Sequence, residues 1–250
     1  TGSAGFIGFH LTNYFAKKKV KNIIAIDNFN PYYDAKLKDS RKKLINKSVT
    51  FKYLDLRDNK KLYNLFKKYK FKKIIHLAAQ PGVRYSLINP TAYFENNLVA
   101  FYNLIELSRK FKIRHFIYAS SSSVYGNLKK YPLKENYNSS NPISFYATTK
   151  KCNELIADSY FLNFKLNCTG LRFFTVYGPF GRPDMSLYKF VNSALSNKKI
   201  NVYNKGKHIR DFTYINDVVN AVYKIFKKKG KSSHQIYNIA GGKPNSLKKY

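Results

Sequence analysis

Thr1-Gly2-Ser3-Ala4-Gly5-Phe6-Ile7-Gly8 reads as a glycine-rich turn, with Gly2, Gly5 and Gly8 at three-residue intervals, and Phe9 to Lys19 after it reads as an amphipathic helix. Glycines at such a turn let the backbone come close to a pyrophosphate, and the free N–H groups at the start of the helix favour its charge. Further on, the apolar run Asn22 to Ile26 ends in Asp27. An acid there, about 20 residues after the turn, is placed to hydrogen-bond an adenosine ribose, which favours NAD over NADP. A glycine pattern alone fits many loops that bind nothing; turn, helix, strand and terminal acid in this order are more specific. Such a turn normally follows a buried strand, and no residue precedes Thr1 in this sequence. The expectation is a chain lacking its first, central strand, with backbone groups of both neighbouring strands exposed.

From there strand and helix alternate. Val49 to Leu56 reads as a strand ending in Asp55-Leu56, and Lys73 to Ala79 as a buried strand leading into Gln80-Pro81-Gly82-Val83-Arg84. Pro90 precedes a long helical stretch, Thr91 to Phe111, with Asn97 on its first turns. Arg114 to Ala119 is the next strand and delivers Ser120 to Ser123; a helix from Ser144 into Phe161 and a strand from Asn167 to Phe174 follow. This order gives an α/β fold, a doubly wound parallel sheet with right-handed crossovers and ligands at the carboxyl ends of its strands. Beyond Phe174 the texture changes. A loop at Gly181-Arg182-Pro183-Asp184-Met185 is followed by a short helix, Leu187 to Leu195, a short strand, Ile200 to Tyr203, then Arg210-Asp211-Phe212 and a helix from Asn216 to Lys227. Residues 1–174 read as a nucleotide-binding domain, and 175–250 mainly as a smaller lobe over the ligand edge, with some segments returning to the core. A helix is expected to begin at Ser246-Leu247, so a missing C-terminal end is expected as well.

A chain of 250 residues with 44% hydrophobic content can bury a sizeable core. No apolar run approaches the roughly 18 residues of a membrane-spanning helix. Cys152 and Cys168 lack metal-ligand or redox spacing, which suits a reducing, cytoplasmic setting. The 46 basic against 13 acidic residues give a net charge of +33, which raises nucleic acid as a partner. The lysines, however, are scattered in pairs and triplets such as Lys17-Lys18-Lys19 and Lys227-Lys228-Lys229, and the accompanying Asn, Ile, Phe and Tyr fit an AT-rich coding sequence. An anionic small molecule is therefore expected as the partner, and nucleic acid is not. Of eight arginines, Arg84, Arg172, Arg182 and Arg210 fall in motif segments, where a planar fork does what lysine cannot.

Tyr146 and Lys150 stand four residues apart at the start of the helix from Ser144 and project from one face. An ammonium beside a phenol favours the phenolate, lowering a pKa that is ordinarily about 10. Such a phenol can take the proton of an alcohol while hydride leaves the same carbon. Alone, the spacing more often marks a helix surface.

Together with His76 to Ser86, Ser120 to Gly126, Gly170 to Met185 and Arg210 to Tyr214, these segments resemble the extended short-chain dehydrogenase/reductase family, NAD-dependent epimerases and dehydratases, over essentially the whole chain. Within it they are most similar to the UDP-glucuronate 4-epimerases, above all in Leu171 to Pro179 followed by Gly181 to Met185. The resemblance implies a Rossmann-type sheet with a C-terminal substrate lobe, NAD as cofactor, a UDP-hexuronate as substrate and a homodimer. It implies Gly2, Gly5, Phe6, Ile7 and Gly8 at the pyrophosphate, Asp27 with Asn28 at the ribose, and Asp55 with Leu56 at the adenine. Ala78, Ala79, Gln80, Asn97 and Phe174 match residues beside the cofactor. Ser121, Tyr146 and Lys150 match the catalytic trio, Tyr146 as general base and Lys150 as its partner and a ligand of the nicotinamide ribose. On the substrate side the resemblance implies Ser121, Ser122, Ser123 and Arg84 near the sugar, Thr175 and Arg182 at the carboxylate, and Arg210 at the UDP pyrophosphate; Arg84 could equally anchor its own loop.

Family members that dehydrate or decarboxylate a 4-keto sugar generally carry a glutamate just before Val-Tyr-Gly, and dehydratases an aspartate before that; here the two places are Ser123 and Ser122. UDP-galactose epimerases commonly have asparagine at the place of Thr175 and lack the Gly-Arg-Pro-Asp loop. The expected reaction is inversion at C4 of UDP-glucuronate to UDP-galacturonate through a 4-keto sugar. UDP-glucuronate decarboxylation, another UDP-sugar 4-epimerase activity, and a non-catalytic binder of nucleotide sugar or nucleic acid are the alternatives. His76 reads as a satisfied core histidine, Tyr125 and Tyr177 as pocket walls, and Asp211 as a residue orienting Arg210.

Overall fold

Side chains that alternate across buried strands need an apolar layer on each face of the sheet. A computed structural model describes residues 1–200, 206, 209–228 and 233–246. The chain runs α1 (Phe6–Lys17), β1 (Ile24–Asp27), α2 (Ala35–Lys43), β2 (Thr50–Tyr53), α3 (Asn59–Tyr69), β3 (Lys73–His76), α4 (Tyr85–Ile88), α5 (Pro90–Tyr93), a π-helical turn (Phe94–Val99) and α6 (Ala100–Lys110). It continues with β4 (His115–Ser121), a 3-10 turn (Ser122–Tyr125), α7 (Phe145–Phe164), β5 (Cys168–Phe173), β6 (Thr175–Tyr177), α8 (Ser186–Leu195), β7 (Ile209–Tyr214), α9 (Ile215–Lys227), β8 (His234–Ile239) and β9 (Pro244–Ser246).

Strands β3-β4-β5-β8 form one parallel sheet in that order, and β1 pairs in parallel with β2. Thr1 and Ser3 lie between the two: the Thr1 nitrogen donates to Ile75 O at 2.8 Å, and Ser3 N donates to Ile26 O at 3.1 Å. On β4, Phe116 and Tyr118 join the layer built with Leu62 and Phe66 of α3 and Phe101 and Leu104 of α6. Ile117 points the other way, into the layer of Leu11 and Phe15 of α1 and Val218 and Val222 of α9. β5 is buried at every position, as a central strand covered on both faces must be. Strand β6 pairs in parallel with β7, which pairs antiparallel with β9; β8 and α9 return to the main sheet and to α1.

The doubly wound parallel architecture is the one expected, with ends of elements shifted by a few residues. The helix expected over Thr91 to Phe111 is interrupted by the π-helical turn, which swings Asn97 into the core. Ser246, expected to start a helix, instead ends β9, whose partner β7 recruits it into an antiparallel pair; Leu247 lies outside the described residues. Of the strand expected at Ile200 to Tyr203, residues 201–203 lie outside the described residues. Among the described residues no helix is long and apolar enough to cross a membrane, and no group of His, Cys, Asp and Glu could hold a metal ion.

Candidate active site

The glycine turn is built by close backbone approach. Gly2 sits at φ +72°, and a Cβ there would lie 2.7 Å from the Ala78 nitrogen; a Cβ on Gly8 would lie 2.0 Å from Gly2 O. Gly5 begins α1 without a side-chain cap, which leaves the first-turn N–H groups for an anion. Asp27, buried at the end of β1, accepts from Ala4 N and Phe29 N at 2.9 Å each, one on each carboxylate oxygen, so both oxygens keep a lone pair for a ribose. Asn28 donates to Asp55 at 3.0 Å. Burial opposes ionisation of Asp55, but bonds from Arg57 and Asn28 outweigh it and hold its pKa at about 2. Leu56 is buried beside it. Across the sheet, the Asn97 side chain accepts from Gln80 N at 2.7 Å and donates to Gln80 O and to Thr149 Oγ1 at 3.1 Å. The segment of Ala78, Ala79 and Gln80 is thereby tied to the turn of α7 between Tyr146 and Lys150. The crowded Gly2, the uncapped helix and the buried acid fit a dinucleotide with a free ribose.

Ser144 Oγ accepts from Ala147 N at 3.1 Å and starts α7, which aims Tyr146 and Lys150 at the carboxyl end of β4. There Ser121 stands within hydrogen-bonding reach of the Tyr146 phenol, and its Oγ accepts from Ser123 N at 3.2 Å. Ser122 and Ser123 form the 3-10 turn after it, and Phe174 follows β5 alongside. Lys150 is 2% exposed and donates to Ala119 O at 3.0 Å; burial lowers its pKa from 10.5 to about 8. The expectation that Lys150 lowers the phenol's pKa is corrected here. Burial raises the Tyr146 pKa, and what opposes the rise is the Ser121 bond and the charge of Arg182. Lys150 instead turns to a carbonyl, so its charge is held behind the site. His76 is buried as expected, with Nδ1 2.9 Å from Thr1 Oγ1, but its Nε2 has no partner among the described residues. Burial and the nearby Lys150 charge hold it neutral, its pKa well below the usual value.

On the substrate side the structure brings Arg182 toward Tyr146 and pairs it with Asp184 in a bidentate fork, Nε to Oδ1 at 3.0 Å. Tyr32 reaches over from the loop after β1 to Asp184 Oδ2 at 3.3 Å. Thr175 opens β6, two residues beyond the end of β5. Arg84 stands exposed at the start of α4, and Arg210 is exposed on β7, its Nη1 donating to Ile209 O. Asp211 does not orient Arg210: its carboxylate accepts from Gly241 N at 2.7 Å and Gly242 N at 2.8 Å, because side chains alternate along a strand and Asp211 faces the turn before β9. Tyr125 is buried, donating to Asn238 under the Arg172 guanidinium, while Tyr177 lies half-buried on β6.

Sequence reasoning missed three groups. Glu154 receives Arg172 through two bonds of 2.8 Å and Ser120 Oγ at 2.6 Å, fixing the residue next to Ser121. Tyr93 packs edge-on against Tyr146 at 6.0 Å and donates to Pro81 O at 2.7 Å. Arg41 is fully buried between the glycine turn and the Arg182 loop. The only signal for it was an arginine in a chain where lysine is the default cation.

A buried serine and lysine with a half-buried tyrosine at the carboxyl edge of a parallel sheet, facing a dinucleotide turn, equip a protein to move a proton at a carbon that exchanges hydride, which is the chemistry of short-chain dehydrogenases. Residues 1–240 match the NAD dependent epimerase/dehydratase family, and the chain belongs to it, with NAD as cofactor. It is 42% identical to Protein CapI of Staphylococcus aureus, over all of this chain and 80% of that protein. It is 43% identical to a probable UDP-glucuronate 4-epimerase of Rhizobium meliloti, over 90% of this chain and 66% of the other. The UDP-glucuronic acid 4-epimerase of Bacillus cereus, solved with UDP-glucuronic acid and NAD, superposes with a TM-score of 0.91 at 32% identity, covering 98% of this chain and 78% of that one.

Proposed function

We propose that this protein inverts C4 of UDP-glucuronate, giving UDP-galacturonate through a 4-keto sugar. Residues 1–174 bind NAD, through Gly2, Gly5, Phe6, Ile7 and Gly8 at the pyrophosphate, Asp27 and Asn28 at the ribose, Asp55 and Leu56 at the adenine, and Ala78, Ala79, Gln80, Asn97, Lys150 and Phe174 around the nicotinamide half. Residues 175–250 mainly form the lobe for the UDP-sugar, where Arg210 serves the pyrophosphate. NAD supplies a hydride acceptor at C4 that returns the hydride to the opposite face. Tyr146 takes the proton of the 4-hydroxyl and gives it back, Ser121 holds the same oxygen, and Lys150 holds the nicotinamide ribose. Ser122, Ser123 and Arg84 hold the sugar ring, and Thr175 with Arg182 takes the carboxylate.

The observation that carries the reading is the Arg182 guanidinium, held by Asp184 in a bidentate fork where its charge favours ionisation of the half-buried Tyr146 phenol. The uronate carboxylate branches from C5, the neighbour of the C4 carbon whose hydroxyl Tyr146 must reach, so a guanidinium beside the base fits an acidic sugar. Serines at 122 and 123 offer no carboxyl group for elimination, which favours epimerisation over loss of water or carbon dioxide. The relatives named as UDP-glucuronate 4-epimerases support the same substrate. Two free thiols support a cytoplasmic setting, and the exposed Phe94 on the π-helical turn, Tyr102 on α6 and Leu155 on α7 support a homodimer. The test is to incubate the chain with NAD and UDP-glucuronate and separate the products. UDP-galacturonate is expected. UDP-xylose would point to a decarboxylase, turnover of UDP-glucose alone to another UDP-sugar epimerase, and binding without product to a non-catalytic role.

A further inference from the structure

Arg41 lies in α2, whose sequence Ala-Lys-Leu-Lys-Asp-Ser-Arg-Lys-Lys reads as a solvated face, yet it is 0% exposed. Its Nη1 donates to Ala4 O at 3.1 Å and to the Tyr33 hydroxyl at 2.8 Å. Its Nε and Nη2 donate to Phe180 O at 3.1 and 2.7 Å, and Nη2 also reaches Gly181 O at 3.2 Å. The Tyr33 ring lies 5.6 Å from the guanidinium carbon. All of these acceptors are neutral, so the charge is stabilised by well-placed dipoles, an arrangement kept only where every bond is made.

The two ends of this clamp matter. Ala4 belongs to the glycine turn, and its other backbone group, the N–H, is bonded by Asp27. Phe180 and Gly181 immediately precede Arg182, and Phe180 sits at φ +56°, a left-handed conformation that a bulky aromatic seldom takes unless its surroundings hold it there. The same loop is fastened by the His10 ring to Pro179 O at 2.8 Å, by Phe9 against Phe180 at 5.3 Å, and by Tyr32 to Asp184. Every one of these anchors comes from α1, from α2 or from the loop after β1, the segments that surround the cofactor turn.

We propose that Arg41 is a positioning residue that couples the two ligand sites, fixing the Arg182 loop to the glycine turn so that a dinucleotide on the turn orders the anion-binding loop. Lysine cannot substitute, because its three donors sit on one nitrogen, whereas the guanidinium makes five bonds from three nitrogens that point to both segments and to Tyr33. The choice of substrate below rests on the epimerase reading; the coupling does not. Amide hydrogen exchange of residues 178–184 is measured with and without NAD. NAD slows exchange there in the wild-type chain; in Arg41→Lys it still binds but the slowing is lost. In turnover, Arg41→Lys raises KM for UDP-glucuronate about tenfold, the loss expected when bonds to a charged group go, with a smaller change in kcat. In an Arg182→Ala background it adds little more, since both act through one loop. NAD-induced slowing that survives in Arg41→Lys, or effects of the two substitutions that simply multiply, would overturn the proposal. Should Arg41→Lys not fold, Tyr33→Phe, which removes a single acceptor, carries the same exchange measurement and is expected to weaken the slowing. Should wild-type chain leave UDP-glucuronate untouched, the epimerase reading fails while the exchange result still decides the role of Arg41.

Discussion

Replacing Lys150 by methionine should make this protein more stable while ending its turnover. The ammonium is buried, its one bond within the site goes to Ala119 O at 3.0 Å, and burial lowers its pKa from 10.5 to about 8. At roughly 1.4 kcal/mol for each pH unit of lowering, the charged form opposes folding by about 3 kcal/mol at neutral pH. Methionine matches the stem in shape and needs no hydration; leaving Ala119 O without its donor takes back about 1 kcal/mol. The net gain is about 2 kcal/mol, a sizeable share of a stability of ~5–15 kcal/mol. The sign gives it a pH signature. Because the folded pKa lies below the unfolded one, the folded chain binds fewer protons, so the penalty is full below about pH 8 and fades as pH rises toward 10.5. The advantage of Lys150→Met should therefore shrink across that window. Urea unfolding followed by far-UV circular dichroism, without NAD, at pH 7 and pH 9.5 reads both effects. A variant no more stable than wild type at pH 7, or an advantage that stays constant with pH, would refute the reasoning.

Tyr146→Phe should lose epimerisation by at least the 10²–10⁴ of general acid–base catalysis while NAD and UDP-glucuronate still bind by calorimetry; retained turnover would remove Tyr146 from the chemistry. Glu154→Gln leaves Arg172 buried without its carboxylate, and breaking such a pair should lower stability by about 3–5 kcal/mol in urea titrations. A change under about 1 kcal/mol would mean that Ser139 and the Glu135 carbonyl suffice for Arg172. Gly2→Ala puts a Cβ 2.7 Å from the Ala78 nitrogen at φ +72°, so NAD affinity should fall at least tenfold with a smaller fall in melting temperature; unchanged NAD affinity would show that the turn does not carry the pyrophosphate.

The glycine turn, Asp27 and the alternation of strands and helices were legible because each is a local pattern with a period or a fixed offset. Ser121, Tyr146 and Lys150 were legible as positions for a similar reason. Their electrostatics were not. A spacing of four residues says that Tyr146 and Lys150 share a helix face, but burial and the carbonyl of Ala119 decide where the ammonium points, and both are tertiary. The π-helical turn at Asn97 was hidden because no residue type announces it; it exists so that one amide side chain can serve both Gln80 and Thr149. Arg41 was hidden more deeply. Its helix carries lysines along its length, and only the fold reveals that Lys38 and Arg41 of that run are turned inward, Arg41 completely.

That contrast bears on the charge of +33. Dispersed exposed lysines are screened within about 8 Å at physiological salt, so they steer anions toward the protein without distinguishing one from another. Selection needs a cation whose direction is fixed, and here the few acids and carbonyls do the fixing: Asp184 holds Arg182, Glu154 holds Arg172, and the carbonyls of Ala4, Phe180 and Gly181 hold Arg41. Other acids grip backbone at bends that shape the site, Asp27 at the glycine turn and Asp211 at Gly241 and Gly242. The lysine excess could grow or shrink on the surface with little effect on what binds. Exchanging one of these few acids or arginines would move a charge whose direction the fold fixes, Arg182 beside Tyr146 among them.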